Sequence, residues 1–224
     1  MKKHIPNALT CCNLLCGCVA VYFALHAEFG YAYIGIVCGA LFDFFDGFAA
    51  RLLGVSSPIG KELDSLADDI TFGLAPAAIL FSLLVMCRVS LEASFAAFLI
   101  SAFSALRLAK FNLDERQALG FIGLPTPANA LFFASLGMLL PGTAAMGHPE
   151  LLFGCLMALV PLSCWLLVSE IPMFALKFKS YGWRGNELRL SFMVLSVVLL
   201  VLLGWGAFAA IVPLYIVTSL VMKK

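Results

Sequence analysis

The sequence carries very little charge for its length. Only 12% of its 224 residues are Asp, Glu, Lys or Arg, which is about half the share found in a soluble domain. Apolar residues make up 62%, and the mean hydropathy is +1.02. A soluble protein of this size has no core large enough to bury so many apolar side chains. The composition therefore excludes a cytosolic globular enzyme and a disordered chain, and it indicates a polytopic membrane protein.

An excess of one sign of charge is also absent. The chain has 14 Lys and Arg against 13 Asp and Glu, so its formal net charge is +1. This balance excludes a nucleic-acid binder with a basic face, and we expect no nucleic-acid partner. The sequence also contains no P-loop, no GxGxxG motif and no Ser/His/Asp arrangement.

Apolar runs long enough to cross a hydrocarbon core of about 30 Å recur along the whole chain. They predict a single all-α membrane domain over residues 1–224, with no separate soluble domain. The last two runs are almost continuous and are broken only around Gly204–Trp205–Gly206, so six or seven spans are the alternatives to eight. The eight predicted helices lie near 6–26, 31–52, 65–86, 91–109, 125–141, 151–169, 190–205 and 207–222.

The placement of basic residues predicts the orientation of these helices. With the N-terminus inside the cell, thirteen of the fourteen Lys and Arg residues fall on the cytoplasmic side, and only Arg88 falls on the other. This asymmetry is what the positive-inside rule requires. We therefore expect a multi-pass protein of the cytoplasmic membrane, with both termini inside.

Eight cysteines lie in or beside the apolar runs, and four of them fall close together on the first predicted helix. Such a group is compatible with a metal cluster. Cysteine in an apolar helix is more often a small packing residue, and that is the interpretation we favour. The group consists of Cys11, Cys12, Cys16 and Cys18.

Acidic residues interrupt the second and third predicted spans. Asp43 and Asp46 are three residues apart, and Asp64 and Asp68 are four apart, so each pair shares one face of a helix. An intramembrane Asp costs about 2.5–3.5 kcal/mol on insertion scales, so four of them need a compensating role. A short turn near Val55–Ile59 would make the two pairs face each other, and small residues would leave a hollow beside them. These small residues are Gly47, Ala50 and Gly60.

Four converging carboxylates repel one another unless cations neutralise them. Hard oxygen ligands select Mg²⁺, Mn²⁺ or Ca²⁺, and two such ions side by side can clamp a pyrophosphate. The alternative is a set of Asp–Arg pairs that only lock the helices together. The nearby bases Arg51 and Lys61 are too few to pair six acids within 27 residues, which favours the metal interpretation.

The same residues resemble the signature of the CDP-alcohol phosphatidyltransferase family. The pattern Asp-x2-Asp-Gly-x2-Ala-Arg-x8-Gly-x3-Asp-x3-Asp matches from Asp43 to Asp68 without departure. The resemblance implies transfer of a phosphatidyl group from a CDP-linked lipid, CDP-diacylglycerol, to an alcohol with release of CMP. It also implies a homodimer in contact with membrane lipids.

The resemblance further assigns roles to individual residues. Asp43, Asp46, Asp64 and Asp68 would hold two divalent cations, Mg²⁺ or Mn²⁺. Asp68 would also act as the catalytic base on the attacking hydroxyl. The CDP-lipid would be bound by six residues, namely Asn7, Thr10, Gly47, Ala50, Arg51 and Gly60.

Further segments resemble the branch of this family that accepts L-serine. They include Asp64-Ser-Leu-Ala-Asp68, Arg107-Leu-Ala-Lys-Phe-Asn112 and Phe121-Ile-Gly-Leu-Pro-Thr-Pro-Ala128. A zwitterion needs a cation for its carboxylate, and Arg107, Lys110 and Asn112 are the predicted serine-binding residues. The alternative for Arg107 and Lys110 is plain anchoring at the cytoplasmic membrane surface. Asp69, next to the predicted metal site, has no role that the sequence explains.

Two other functions stay open at this point. The acceptor could be another alcohol, such as glycerol 3-phosphate or an inositol phosphate, although the segment near Arg107 is not strongly basic. Buried carboxylates also mark ion pathways, so a divalent-cation transporter is the alternative from a different class. Transport predicts ion flux without CMP, whereas the enzyme releases CMP only when lipid and alcohol are both present.

Overall fold

A computed structural model describes residues 4–55, 57–114, 121–142, 147–174 and 186–222 of the protein. Within these residues the fold is a bundle of helices that run back and forth, and the only strands are two of two residues each. The helices are α1 (His4–Leu25), α2 (Phe29–Leu53), α3 (Pro58–Asp68), α4 (Ala75–Met86), α5 (Leu91–Ser94), α6 (Leu99–Leu113), α7 (Thr126–Leu139), α8 (Pro149–Val168), α9 (Glu187–Leu203) and α10 (Phe208–Met222).

These helices join into eight rods, which confirms the predicted all-α membrane bundle. A π-helix, Asp69–Leu74, connects α3 to α4, and a 3-10 turn, Phe95–Phe98, connects α5 to α6. Five stretches of the described chain are long and apolar enough to cross a membrane, and α7 and α10 are shorter apolar helices. The predicted break between the last two spans is a 3-10 turn over Gly204–Gly206.

The third rod begins earlier than its apolar run predicts. Helix α3 starts at Pro58 because the hydroxyl of Ser57 accepts a hydrogen bond from the backbone N–H of Gly60, and proline fits the first helical position. The expected turn before it is present, since α2 ends at Leu53 and Gly54 closes it in the left-handed conformation. The acid-bearing halves of α2 and α3 are therefore joined by a very short connection.

Helices α1 and α2 pack closely against the π-helix, next to the acidic residues of α2 and α3. A Cβ atom on Gly39 would lie 2.5 Å from the Cγ2 of Thr71 and 2.9 Å from the Oδ1 of Asn13, so only glycine lets these elements approach so closely. The hydroxyl of Thr71 donates a hydrogen bond to the backbone carbonyl of Asn13 at 3.1 Å. These contacts fix Asn13 where α1 meets the acidic helices.

Two short strands join the connections that follow α6 and α8. Strand β1 (Phe121–Ile122) pairs antiparallel with β2 (Pro172–Met173). Two more backbone bonds extend the junction, from the N–H of Gly123 to the carbonyl of Ile171 and from the N–H of Leu124 to the carbonyl of Leu166, both 2.9 Å long. The segment after α8 is therefore held against the start of α7.

Candidate active site

Three carboxylates from two helices meet where α2 faces α3. One carboxylate oxygen each of Asp43, Asp64 and Asp68 lies within 4.8 Å of the other two. The three side chains are partly buried, and the Oδ1 atom of Asp64 is buried without a hydrogen-bond partner. An orphaned carboxylate oxygen among like charges is costly unless a cation joins it. The donor set fits a hard divalent cation.

The fourth predicted ligand, Asp46, lies beside this group and not within it. The hydroxyl of Thr10 donates a hydrogen bond of 2.6 Å to the Oδ2 of Asp46, whose side chain is buried. The second oxygen, Oδ1, is not engaged by Thr10. The structure thus brings three of the four acids together and holds the fourth next to them through α1.

Asn13 was not assigned a role from the sequence, although it lies at the centre of the site. Its Nδ2 donates a hydrogen bond of 3.1 Å to the Oδ1 of Asp68, and its own Oδ1 is buried without a partner. The side chain is fully buried. Asn13 therefore fixes the orientation of Asp68, and the sequence signal was its position three residues after Thr10 on one face of α1.

A pocket of about 300 Å³ opens beside the acids, between α1, α2 and the start of α3. Five of the six predicted lipid-binding residues line it, namely Asn7, Thr10, Gly47, Ala50 and Gly60. Arg51, the sixth, is exposed and is not among the lining residues. We call this space, lined by Pro6, Asn7, Thr10, Asp46, Gly47, Ala50, Val55, Ser57, Gly60, Lys61 and Asp64, the nucleotide pocket.

A second pocket, of about 410 Å³, lies where α6 meets the segment that follows α8. Two of the three predicted serine-binding residues, Arg107 and Lys110, line it. Two carboxylates that the sequence did not single out, Asp114 and Glu170, line it as well. We call this space, lined by Arg107, Lys110, Leu113, Asp114, Ile122, Leu167, Val168, Ser169 and Glu170, the acceptor pocket.

Arg107 is held rigidly in the wall of the acceptor pocket. Its side chain is only 7% exposed, and Nη1 donates a 3.4 Å hydrogen bond to the hydroxyl of Thr126. The guanidinium also lies over the ring of Phe111, 5.8 Å from its centroid. The Nε–H is buried with no partner, so the site contains a donor that only an added acceptor would satisfy.

Asn112 does not join Arg107 and Lys110. Its Nδ2 donates a 2.7 Å hydrogen bond to the hydroxyl of Ser65, and its backbone carbonyl accepts a 3.0 Å bond from the Nζ of Lys61. Both bonds tie the C-terminal end of α6 to α3, within one turn of Asp64 and Asp68. The acceptor pocket is thereby held next to the acids.

Asp69 lies outside the group of three carboxylates. It is the first residue of the π-helix, and a Cβ on Gly73 would lie 2.6 Å from its Oδ1 and 2.9 Å from the Cβ of Ser104 on α6. Asp69 therefore faces α6, and both its Oδ1 and the hydroxyl of Ser104 are buried without partners. The structure gives no chemical role for this residue.

Comparison with known proteins identifies the family to which the chain belongs. The family model described as CDP-alcohol phosphatidyltransferase matches residues 3–172, which include both pairs of acids and Arg107. The chain belongs to the CDP-alcohol phosphatidyltransferase family. This membership confirms the resemblance read from the sequence, and it makes the protein an integral membrane member of a family of transferases.

Three relatives of this family member carry the name CDP-diacylglycerol–serine O-phosphatidyltransferase. The one from Bacillus subtilis is 38% identical over 125 residues, which are 56% of this chain and 70% of the relative. The one from Helicobacter pylori is 33% identical over 199 residues, 86% of this chain and 80% of the relative. The one from Methanocaldococcus jannaschii is 35% identical over 158 residues, which are 68% of this chain and 70% of the relative.

Proposed function

We propose that the protein transfers the phosphatidyl group of CDP-diacylglycerol to the hydroxyl of L-serine, forming phosphatidylserine and releasing CMP. The observation that carries this function is the clustering of Asp43, Asp64 and Asp68 beside the nucleotide pocket, in a family member whose relatives bear that enzyme's name. This pocket suits the nucleotide, and the acceptor pocket suits a small alcohol. The acids lie where the two substrates would meet.

Divalent cations fit the acids. Asp43, Asp64 and Asp68 offer clustered oxygens, and the Oδ1 of Asp46 is the adjacent fourth donor. We assign these four residues to two ions, Mg²⁺ or Mn²⁺, because hard cations prefer carboxylate oxygens. When bound, the cations would neutralise the pyrophosphate and the charge that develops on the departing CMP.

The nucleotide pocket supplies the contacts for the CDP moiety. Gly47 has open space where a side chain would stand, which leaves room for a flat base or a ribose beside α2. Asn7 lines the same wall, and Thr10 holds Asp46 in place. Lys61, which the sequence analysis counted only as a neighbouring base, also lines the pocket and adds a positive charge for phosphate. Arg51, which follows Ala50 on α2, is exposed, and its contact with the CDP-lipid stays a prediction.

Asp68 is the residue that we assign to take the proton of the attacking hydroxyl. Asn13 holds its Oδ1, which leaves Oδ2 to accept that proton. The serine oxygen would form a bond to the β-phosphorus while the bond from that phosphorus to the CMP oxygen breaks. CMP then leaves with the bonding electron pair, and the proton remains on Asp68 until water removes it.

The acceptor pocket supports serine over phosphorylated alcohols. Arg107 and Lys110 offer positive charge for a carboxylate, and Arg107 has an unpaired N–H. Asp114 and Glu170 add negative charge to the lining of the same pocket, which would repel the phosphate group of glycerol 3-phosphate or an inositol phosphate. Asn112 then serves by tying α6 to α3 and not by touching serine.

The substrate assignment is tested with purified protein, Mg²⁺ or Mn²⁺, CDP-diacylglycerol and a panel of alcohols, with CMP as the readout. We expect CMP with L-serine and only background release with glycerol 3-phosphate, inositol phosphate or no alcohol. Release with glycerol 3-phosphate but not serine would reassign the acceptor. No CMP with any alcohol, together with divalent-ion flux into proteoliposomes, would overturn the enzyme in favour of a transporter.

The active site and both termini are proposed to face the cytoplasm. Arg88, the one base that the predicted topology places outside, lies between α4 and α5 at the end of the bundle opposite the acids. In a variant without the eight native cysteines, a single cysteine at Ala27, in the turn between α1 and α2, should react with an impermeant maleimide in intact cells. One at Ser57, beside the nucleotide pocket, should react only after permeabilisation. Reaction at position 57 in intact cells would contradict this orientation.

Family membership also supports the predicted homodimer. An apolar, exposed stripe on α2 is available for contact with a second copy or with lipid, and it consists of Leu41, Phe44, Phe45, Phe48 and Leu52.

A further inference from the structure

The acceptor pocket contains both signs of charge on different structural elements. Arg107 and Lys110 come from α6, whereas Glu170 comes from the segment between α8 and β2. A site for a simple anion would contain only the positive side chains. Opposite charges in one cavity are complementary to a zwitterion, because a site of a single sign would attract one of its two charges and repel the other.

The geometry of an amino acid sets what the second charge has to do. An α-amino acid carries its ammonium and carboxylate groups on one carbon atom. When Arg107 and Lys110 hold the carboxylate, as the proposed function requires, the ammonium lies only a few ångströms away within the same pocket. An ammonium group has three donors and needs acceptors when it leaves water.

Two carboxylates line the pocket, and they differ in their surroundings. Asp114 directly follows α6, where its backbone N–H donates a hydrogen bond to the carbonyl of Lys110, so it belongs to the same element as Arg107 and Lys110. Glu170 is contributed by a different element, the segment between α8 and β2. A carboxylate on a separate element is the one that closes the pocket around the ammonium.

The backbone on both sides of Glu170 is fixed. The hydroxyl of Ser169 donates a 3.0 Å hydrogen bond to the carbonyl of Leu166, and the carbonyl of Ile171 accepts a 2.9 Å bond from the N–H of Gly123. The antiparallel pair β1–β2 continues this anchoring. The Glu170 carboxylate is therefore attached to a rigid segment, as a specificity group needs to be.

We propose that Glu170 accepts the ammonium group of L-serine and so selects an amino-acid alcohol over a hydroxy acid. The inference rests on the proposed function and adds a specificity residue to it. An ionised carboxylate has about four acceptor positions, so Glu170 can bind the ammonium while keeping its other interactions. Glu170 touches the substrate at a distance from the reacting hydroxyl, so it contributes to binding more than to turnover.

The test compares L-serine with 3-hydroxypropanoate, which is serine without its ammonium group. In Glu170→Gln we expect the KM for L-serine to rise about tenfold, the lower end for a charge-assisted contact, because Glu170 is exposed to solvent. The kcat and the KM for CDP-diacylglycerol should stay unchanged. The inhibition constant of 3-hydroxypropanoate against serine should stay the same or fall, since a negative charge has been removed.

Glu150→Gln, an exposed carboxylate in the first turn of α8, the helix that precedes Glu170, is the matched control and should change none of these values. Glu170→Asp keeps the charge and should restore part of the serine affinity. An unchanged KM for serine in Glu170→Gln would overturn the inference. So would an equal rise in the serine KM and the 3-hydroxypropanoate inhibition constant, because that result indicates a merely structural role. Absence of serine-dependent CMP release in the unmodified protein would instead refute the proposed function.

Discussion

Asp64→Asn is expected to lower phosphatidyl transfer about a thousandfold while the protein stays folded. The Oδ1 of Asp64 is buried with no hydrogen-bond partner inside the group of three carboxylates. Its negative charge therefore stabilises the protein only when a cation is bound. An amide of the same shape cannot neutralise a divalent ion. CMP release under saturating lipid and serine measures the loss.

The stability of the same variant separates chemistry from folding. Three nearby carboxylates repel one another in the folded state. Removing one charge lowers this repulsion and so stabilises the fold. In chelator, Asp64→Asn should therefore unfold at the same temperature as the unmodified protein or at a higher one. Glu92→Gln, an exposed carboxylate on α5, should keep full activity as the control.

Chelation provides an independent check of the same site. EDTA should abolish CMP release, and an excess of Mg²⁺ or Mn²⁺ should restore it. Substantial turnover in EDTA, or in Asp64→Asn, would refute the assignment of metal ions to these acids.

Arg107→Ala is expected to raise the KM for L-serine about 10–150-fold, which corresponds to about 1.5–3 kcal/mol for a charge-assisted contact. We expect a large increase in the KM because Arg107 is only 7% exposed and its buried Nε–H lacks a hydrogen-bond partner. The contact positions the substrate, so the KM for CDP-diacylglycerol should change little. Steady-state kinetics with each substrate varied in turn measures both constants.

Variants at related positions show whether the guanidinium itself matters. Arg107→Lys keeps the charge but loses the planar fork, so it should recover only part of the affinity. Arg88→Ala, an exposed base at the opposite end of the bundle, should have no effect. If both Arg107→Ala and Lys110→Ala leave the serine KM unchanged, these residues are only membrane anchors. The carboxylate site would then be sought at Arg51, or at Lys177 and Lys179, which lie outside the described residues.

Local patterns in the sequence predicted most of the fold. Apolar runs located the eight rods because the length of a membrane-spanning helix is set by the bilayer. Spacings of three and four placed Asp43 beside Asp46 and Asp64 beside Asp68, since helix geometry is local. The early start of α3 was missed because its first turns are polar, and the prediction relied on apolar runs. The start is set by the cap at Ser57 and by Pro58 in the first turn.

Contacts between distant segments could not be predicted in the same way. The face that Thr10 and Asn13 share on α1 could be read from their spacing, but not their partners Asp46 and Asp68, which are 36 and 55 residues away along the chain. Asn112 was predicted to bind serine from its place beside Lys110, but its amide contacts Ser65. Glu170 was missed because its neighbours along the chain are not charged, and backbone contacts between the segment after α8 and the residues before α7 hold it at the acceptor pocket.

The π-helix over Asp69–Leu74 has a consequence for the length of this segment. Its wider turn holds one more residue than an α-helical turn, so it rotates α4 by about 100° relative to α3. Nine of the twelve residues of α4 are buried, and Asp64 and Asp68 must face α2, so both halves of the rod have fixed orientations. Loss of one residue between 69 and 74 would turn either the acids away from α2 or the apolar surface away from its neighbours. The number of residues here is thus as strictly constrained as the identity of the acids themselves.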